Sequence, residues 1–441
     1  EKSGEKYSDV ILSEMESMSD VDDRFNIAVH GLTEDMMVTA QEYGEEASKD
    51  LFNAKNFRIT DSDIQTGSPK EKYRSNIDAI KLVKKLETEN RQATLQEQEV
   101  LSRYVGWGGL ADAFDDRKDS WTNEYKELKE LLTDDEYTSA RASTLNAHYT
   151  SPVIIKQMYK VLENSGFKEG SILEPACGTG NFIGMLPNEM QASRFYGVEL
   201  DRISGTIAKY LYPDANIQIT GFEKTSFSDG QFDVAIGNVP FGQYKVNDKA
   251  YDKQNMLIHD YFIAKSIDKV RPGGIVAVIT SKGTMDKVNG DARLYFAQKA
   301  DLVGAVRLPN TAFKANAGTE VTSDILFFQK RDELRTGEIP DWVETAENSG
   351  GIRLNKYFIN HPEMIVGTMQ MVSGPYGPES ACVPMEGVPF EVQLEKAMQN
   401  IHCVYDKRSL EPELENALSE EPAYVTAETE SVRDYSYTLM G

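Results

Sequence analysis

The sequence has few residues of the types that bind metals, and it has no long apolar segment. Its 441 residues include only 3 Cys and 5 His. The cysteines, Cys177, Cys382 and Cys403, have neither metal-ligand spacing nor the even number of a disulfide framework. No uninterrupted apolar run approaches the roughly 20 residues that span a bilayer. We therefore expect a cytoplasmic protein in a reducing environment, with no metal and no membrane partner.

Positive charge is also scarce. Lys and Arg number 47 against 71 Asp and Glu, which gives a net charge of -24. This deficit argues against a nucleic-acid partner, because contacts with phosphate usually dominate such binding. The distribution changes that conclusion, since residues 1–140 carry -14 and residues 332–441 carry -13, whereas residues 141–331 carry +3. A mildly basic centre can receive a phosphate backbone through local Lys and Arg.

The amino terminus lacks both the basic start and the apolar segment of a signal peptide, and it lacks an initiator Met. We therefore expect a fragment of a longer polypeptide. Composition and periodicity divide the chain into an acidic, loosely ordered segment (1–72), a helical region (73–140), a central domain (141–331) and an acidic, irregular extension or linker (332–441).

The central domain alternates strand and helix patterns, which is typical of a doubly wound, mostly parallel α/β sheet. The last strand follows closely behind its predecessor, so we expect it to be an antiparallel strand at the sheet edge. The strand candidates are 171–175, 195–200, 216–220, 232–238, 274–281, 302–308 and 319–330.

Two of these strands end in segments suited to binding. The first, ILEPACGTGNF (172–182), runs into a glycine-rich turn and then a helix. The second, VAIGNVPF (234–241), is a hydrophobic strand that ends in an amide, a proline and an aromatic ring. Open α/β sheets bind ligands at the carboxyl ends of their strands. Together the segments predict a nucleotide-like cofactor and a flat, amino-bearing substrate in one cleft.

These motifs resemble those of the class I S-adenosylmethionine-dependent methyltransferases, and among them the DNA adenine-N6 methyltransferases. The cofactor loop of that family, Asp/Glu-Pro-x-Cys-Gly-x-Gly-x-Phe, is matched at 174–182. Its catalytic loop, Asn/Asp-Pro-Pro-Tyr/Phe, is matched at 238–241 except for Val239. The segment HYTSP (148–152) precedes the cofactor loop, as in the γ-type motif order. The resemblance implies a Rossmann-like methyltransferase fold.

The resemblance also implies which residues bind S-adenosylmethionine. Glu174 is expected to bind the ammonium group of the cofactor. Glu199, at the end of the next strand, is expected to bind the ribose hydroxyls. Either Phe222 or Glu223 is expected to serve the adenine, by stacking or by hydrogen bonding. The remaining cofactor-binding residues are Tyr149, Thr150, Ala176, Gly178, Gly180 and Phe182.

The implied catalytic residues are Asn238, Val239, Pro240 and Phe241. The Asn238 side chain and the Val239 carbonyl would accept the two amino hydrogens of a flipped adenine, and Phe241 would stack on the base. Because the family uses only the backbone carbonyl at position 239, we expect Val to loosen the loop without removing the acceptor. On the same grounds we expect a proline there to be tolerated.

The predicted activity is methyl transfer to adenine N6 in DNA. The segments YVGWGGL (104–110) and YFINHPEMIVG (357–367) resemble the methyltransferase region of large methylase-helicase proteins of phages and conjugative elements. This resemblance predicts a helicase domain elsewhere in the full-length polypeptide. Two alternatives remain open: a protein glutamine methyltransferase, which shares the catalytic motif, and a non-catalytic module that binds DNA or a partner.

Overall fold

The computed structural model describes residues 55–60, 67–144, 150–314, 320–374 and 377–407. Tyr149 and most of the acidic segment 1–72 lie outside the described residues. Those described through Tyr405 belong to one structural unit.

A seven-stranded mixed sheet forms the centre of the fold, as the alternating pattern predicts. The strand order is β3-β2-β1-β4-β5-β7-β6. All neighbouring pairs are parallel except those made by β7. The strands are β1 (Ser171–Glu174), β2 (Arg194–Glu199), β3 (Asn216–Ile219), β4 (Phe232–Asn238), β5 (Val270–Ser281), β6 (Ala300–Leu308) and β7 (Ser323–Lys330).

The antiparallel strand is confirmed, but its predicted position at the sheet edge is wrong. Strand β7 lies between β5 and β6 and pairs antiparallel with both, so β6 forms the edge. The connection from β5 to β6 contains two helices and leaves one strand position vacant. The chain then returns beside β6 and fills that position. A local pattern identifies a strand but does not determine its neighbours.

The described residues contain helices in the predicted helical region and between the strands of the central domain, and two more in the segment predicted to be irregular. They are α1 (Pro69–Glu89), α2 (Leu95–Ser102), α3 (Thr122–Leu131), α4 (Asp134–Ser143), α5 (Pro152–Asn164), α6 (Asn181–Gly184), α7 (Arg202–Leu211), α8 (Ile258–Lys269), α9 (Lys282–Asp286), α10 (Asp291–Lys299), α11 (Lys356–Asn360) and α12 (Phe390–Met398). None of the described helices is long and apolar enough to cross a membrane.

Helices α1 to α4 form a helical layer that packs onto the sheet domain through α7. Helix α2 begins with a reciprocal capping box, because Thr94 accepts from the N–H of Glu97 and the Glu97 carboxylate accepts from the N–H of Thr94. Trp107 is 2% exposed and lies edge-to-face against Phe114, with ring centroids 5.1 Å apart. The Gly-Trp-Gly-Gly turn therefore buries its ring in the helical layer.

Part of the acidic amino-terminal segment is ordered against the sheet domain. Phe57 donates its N–H to the Leu211 carbonyl over 2.7 Å, and Ile59 donates to the Gly184 carbonyl over 3.0 Å. Residues 55–60 thus lie in contact with α6 and the end of α7, in a region whose composition predicts loose order.

The sequence divides the chain near Arg331, but the described residues beyond it continue the core. Trp342, Phe358 and Leu394 are each at most 7% exposed and belong to the same hydrophobic cluster as the sheet. This part contains two antiparallel hairpins, β8 (Thr345–Glu347) with β9 (Arg353–Asn355), and β10 (Thr368–Gly374) with β11 (Gly377–Val383).

Candidate active site

The glycine-rich loop joins β1 to α6 at the carboxyl edge of the sheet. Gly180 has φ +84°, a left-handed conformation that favours glycine. A Cβ on Gly180 would lie only 2.4 Å from Cε2 of Tyr212. The loop therefore needs glycine both for its turn and for its close approach to the Tyr212 ring. Ala176, on the same loop, is half-buried.

Glu174 ends β1 beneath this loop. Its side chain is almost fully buried, and its Oε2 atom accepts no hydrogen bond from any described residue. Burial, with the nearby charge of Glu199, raises the pKa of Glu174 well above its usual range. The side chain lies over Gly237 of β4, where a Cβ would come within 3.1 Å of the Glu174 Cγ. An unsatisfied carboxyl therefore lies one residue from Asn238.

Glu199 ends the neighbouring strand β2 and supports the same loop. Its Oε2 accepts from the N–H of Gly178 over 2.7 Å, and its Oε1 accepts from the N–H of Asp201 over 2.8 Å. Burial raises the pKa of Glu199 to about 7. A carboxylate has about four acceptor positions, so these two bonds leave capacity for hydroxyl donors. The nearby Asp201 caps α7 by accepting from the N–H of Ser204.

The two residues predicted for the adenine lie in a short 3-10 turn after β3. The ring of Phe222 is 1% exposed and packs against Phe262 at 5.2 Å between centroids. The Phe222 carbonyl accepts from Lys265 Nζ over 2.8 Å. Glu223 is half-buried, and its carboxylate folds over Gly221, where a Cβ would lie 2.2 Å from Oε1.

Asn238 is the last residue of β4 and pairs with Ile279 of β5. The next residue extends this pairing, because Val239 is 2% exposed and donates its N–H to the Ile279 carbonyl over 3.1 Å. This bond fixes the peptide unit between Asn238 and Val239, immediately before the Val239 carbonyl. Pro240 and Phe241 are half-buried, and Phe241 packs against the core.

The Val239 hydrogen bond overturns the expectation that Val loosens the loop and that proline is tolerated there. Proline has no N–H, so Val239→Pro leaves the Ile279 carbonyl without this donor. We expect a loss of about 1–3 kcal/mol in unfolding free energy, measured by urea denaturation. Val239→Ala keeps the N–H and calibrates the loss of packing. A proline variant as stable as the wild type would contradict this assignment.

Thr150, Phe182 and the loop residue Cys177 are all buried. Thr150 is 4% exposed and precedes the Ser151 carbonyl, which accepts from the first amides of α5. Phe182 is 2% exposed, and its carbonyl accepts from the Tyr159 hydroxyl over 2.7 Å. Cys177 is 5% exposed, and burial raises the pKa of its thiol well above the usual range.

Sequence reasoning missed several residues that shape the site. Tyr159 and Tyr212 support the glycine loop, and Lys265 holds the Phe222 carbonyl. Each lies on a helix or helix end far from the motifs in sequence. Ordinary amphipathic spacing does not distinguish such a residue from any other core tyrosine or surface lysine.

The described residues contain no group of three or more His, Cys, Asp or Glu arranged to hold a metal ion. The family model for N-6 DNA methylase matches residues 130–352, about half of the chain, and covers the glycine loop and the catalytic motif. The chain belongs to the N-6 DNA methylase family. This methylase is a methyltransferase of the Rossmann-like class, and its methyl donor is S-adenosylmethionine.

Curated relatives of this methylase share part of its length. It is 30% identical over 47% of its residues to Defense against restriction protein B of Escherichia phage P1, of which it covers 9%. It is 29% identical over 32% of its residues to Modification methylase CviBIII of Paramecium bursaria Chlorella virus NC1A, of which it covers 39%. The methylase subunit of the type I restriction enzyme EcoEI from Escherichia coli is 27% identical over 36% of the chain, with 38% of that subunit covered. The chain thus spans well under half the length of these three relatives.

Among solved structures, one match is a putative class I S-adenosylmethionine-dependent methyltransferase from Listeria monocytogenes. It shares 18% identity with a TM-score of 0.37, over 61% of this chain and 90% of that one. A second is a modification subunit of a putative type I restriction enzyme from Vibrio vulnificus, with 16% identity and a TM-score of 0.36, over 66% and 67% of the two chains.

Proposed function

We propose that the chain transfers a methyl group from S-adenosylmethionine to the N6 amino group of adenine in DNA. The observation that carries this proposal is the juxtaposition at the carboxyl ends of β1 and β4. There the buried, unsatisfied Glu174 lies over Gly237, immediately before Asn238 and before Val239, whose N–H is bound to Ile279. A cationic methyl donor and an amino acceptor would thus meet at adjacent strand ends.

The acceptor atoms and the glycines of the site suit S-adenosylmethionine. The unsatisfied Oε2 of Glu174 can accept from an ammonium group, and the glycines at 178 and 180 allow close approach by the methionine portion. Thr150, with Tyr149 beside it, would contact the carboxylate near the start of α5, and Ala176 and Phe182 would line the same end. Glu199 retains acceptor positions for ribose hydroxyls.

At the adenine of the cofactor, the structure favours a division of roles. The ring of Phe222 is already packed against Phe262, and its carbonyl is bound to Lys265. Glu223 is half-buried and retains carboxylate acceptors. We therefore assign hydrogen bonding to Glu223 and support of the pocket wall to Phe222.

The methyl donor supplies a sulfonium-activated methyl group, and the protein's task is to prepare the nitrogen that attacks it. The Asn238 side-chain oxygen and the Val239 carbonyl would each accept one amino hydrogen. Two such acceptors favour a pyramidal, more nucleophilic nitrogen over one conjugated with the ring. Phe241 follows Pro240 at the rim and would stack on the extruded base. This chemistry requires no covalent intermediate.

The broader setting follows from the same proposal. DNA is the proposed substrate, and a helicase domain of the full-length polypeptide is the proposed partner. The proposed location is the cytoplasm.

The activity is tested by incubating the chain with labelled S-adenosylmethionine and either duplex DNA or a protein extract. Nucleoside and peptide mass analysis then identifies the product. We expect N6-methyladenine, with no methylated cytosine. Label found only on protein glutamine would support the glutamine methyltransferase alternative. Cofactor binding without transfer to either substrate would support the non-catalytic alternative.

Cofactor affinity should rise with pH. The raised pKa of Glu174 means that this carboxyl is protonated over a wider pH range than usual, whereas a cationic ligand favours its ionised form. Binding should therefore release a proton, and affinity should rise by up to about tenfold per pH unit at pH values below the raised pKa of Glu174. Calorimetry in two buffers of different ionisation enthalpy measures the release.

Two variants assign this proton. Glu174→Gln should weaken binding and remove most of the pH dependence. Glu199→Gln should remove only the part that arises near pH 7, because the pKa of Glu199 is about 7. An affinity independent of pH in the wild type would exclude an ionising carboxyl at the cofactor's cationic end.

A further inference from the structure

The segment between Phe241 and α8, residues 242–257, carries three lysines and two aspartates. We call it the post-catalytic segment. Lys245, Lys249 and Lys253 are all exposed. Their spacing of four residues says little by itself, because exposed lysines are usually only solvated. The contacts of the two aspartates are more informative.

The negative charge of Asp248 is directed toward the interior of the fold. Its Oδ2 accepts from Lys265 Nζ over 3.0 Å and from the Tyr261 hydroxyl over 2.8 Å. Lys265 is 4% exposed, so this ion pair neutralises Asp248 below the surface. Asp252 accepts from the N–H of Asp248 and remains exposed. The outer face therefore presents three cations against one carboxylate.

The segment is also held in place by one hydrogen bond from its middle and one between its two ends. Tyr251 is 8% exposed and donates its hydroxyl to Asp268 over 2.8 Å. Ile258 donates its N–H to the Tyr244 carbonyl over 2.9 Å, which closes the segment on itself. The lysines therefore extend from an ordered backbone directly after the catalytic motif, and binding a polyanion would require little further ordering of the chain.

A second pair of lysines near the same edge is committed to the protein. Lys287 donates to Asp260 over 2.9 Å, and Asp260 is 1% exposed. Lys282 donates to the Ser380 carbonyl and thereby ties α9 to the β10–β11 hairpin. In contrast, Lys245 donates to the neutral side chain of Asn255, which does not compensate the lysine's charge.

We propose that Lys245, Lys249 and Lys253 form the surface that contacts the phosphate backbone of the substrate DNA beside the target base. This inference rests on the proposed function and specifies where its substrate is held. The lysines supply positioning contacts without sequence specificity, because phosphates carry no base identity. They bind substrate and take no part in the chemical step.

The test compares two triple variants of equal charge. In the first, Lys245, Lys249 and Lys253 are changed to Gln. In the control, Lys126, Lys168 and Lys209 are changed to Gln; these are exposed lysines of α3, of the loop before β1, and of α7. DNA affinity is measured by fluorescence anisotropy over a range of salt concentrations, and cofactor affinity is measured by calorimetry.

We expect the first variant to lower DNA affinity roughly 10- to 100-fold and to reduce the salt slope by about 0.9 for each phosphate that the replaced lysines neutralise in the wild type. The KM for DNA should rise while kcat at saturating DNA and cofactor affinity stay near the wild-type values. Changing the same three lysines to Arg should restore affinity. The control variant should bind DNA nearly as the wild type does.

Equal losses in both Gln variants would show an effect of total charge and overturn the inference. Unchanged DNA affinity in the first variant, with wild-type methylation of DNA intact, would overturn the inference alone. A wild-type chain that binds cofactor but neither binds nor methylates DNA would overturn the proposed function and this inference together.

Discussion

Replacing Asn238 with Ala should reduce methyl transfer severely while leaving cofactor affinity nearly unchanged. The residue is the last of β4, and its side chain is one of two acceptors proposed for the amino hydrogens of the base. Removing one preorganised polar group from such a site typically lowers kcat by about 100- to 1000-fold. Single-turnover methylation assays measure the chemical step, and calorimetry measures cofactor binding.

Two further variants separate the roles of the amide and the aromatic ring. Asn238→Asp keeps an acceptor oxygen at the same position and should retain part of the activity, whereas Asn238→Ala keeps none. Phe241→Ala should chiefly weaken capture of the base, by about 1–3 kcal/mol for the missing stacking surface. Equal activity of the wild type and Asn238→Ala would refute the proposed role of this amide.

Arg307→Leu should cause the largest loss of stability. Arg307 is fully buried and donates two hydrogen bonds to Asp324, of 2.8 and 2.9 Å, and a third to Asp286 over 2.6 Å. Its guanidinium also lies 4.3 Å from the ring centroid of Phe358. Replacing Arg307 leaves the carboxylates of Asp324 and Asp286 without their neutralising cation. We expect this to lower the free energy of unfolding by about 3–5 kcal/mol. Urea denaturation measures the difference.

The double variant Arg307→Leu/Asp324→Leu separates the effect of an unpaired charge from the effect of altered packing. Because it removes the fully buried carboxylate as well, it should recover much of the stability that the single variant loses. A double variant no more stable than the single one would show that shape, rather than unpaired charge, dominates at this position.

Much of the fold was predictable because its signals are local. Each of the seven strands has apolar residues in a run or in alternation, and the capping box of Thr94 and Glu97 lies within four residues. The position of β7 was not predictable in this way. Its hydrophobic run, ILFF (325–328), is buried and would suit either an edge or an interior position of the sheet.

In the candidate site, too, local features were predictable and long-range contacts were not. The glycine turn and the motif proposed to be catalytic each lie in continuous sequence, so their residue types alone suggest the roles proposed for them. The burial of Phe222 against Phe262 and the bond from Lys265 to the Phe222 carbonyl join segments about 40 residues apart. No periodicity in either segment indicates such a contact. The same limitation explains why Val239 was expected to loosen a loop that its N–H holds in place.

The class of fold, the glycine loop and the strand end proposed for catalysis can be predicted from the sequence, because each depends on neighbouring residues and on the geometry of a strand entering a turn. Which charges face solvent and which are neutralised inside follows only from the folded chain. Asp248 and Lys249 are adjacent in the chain, yet Asp248 pairs with the buried Lys265 whereas Lys249 is exposed. The effect of a charge depends on burial and on its partners, and both are set by segments that meet only when the chain folds.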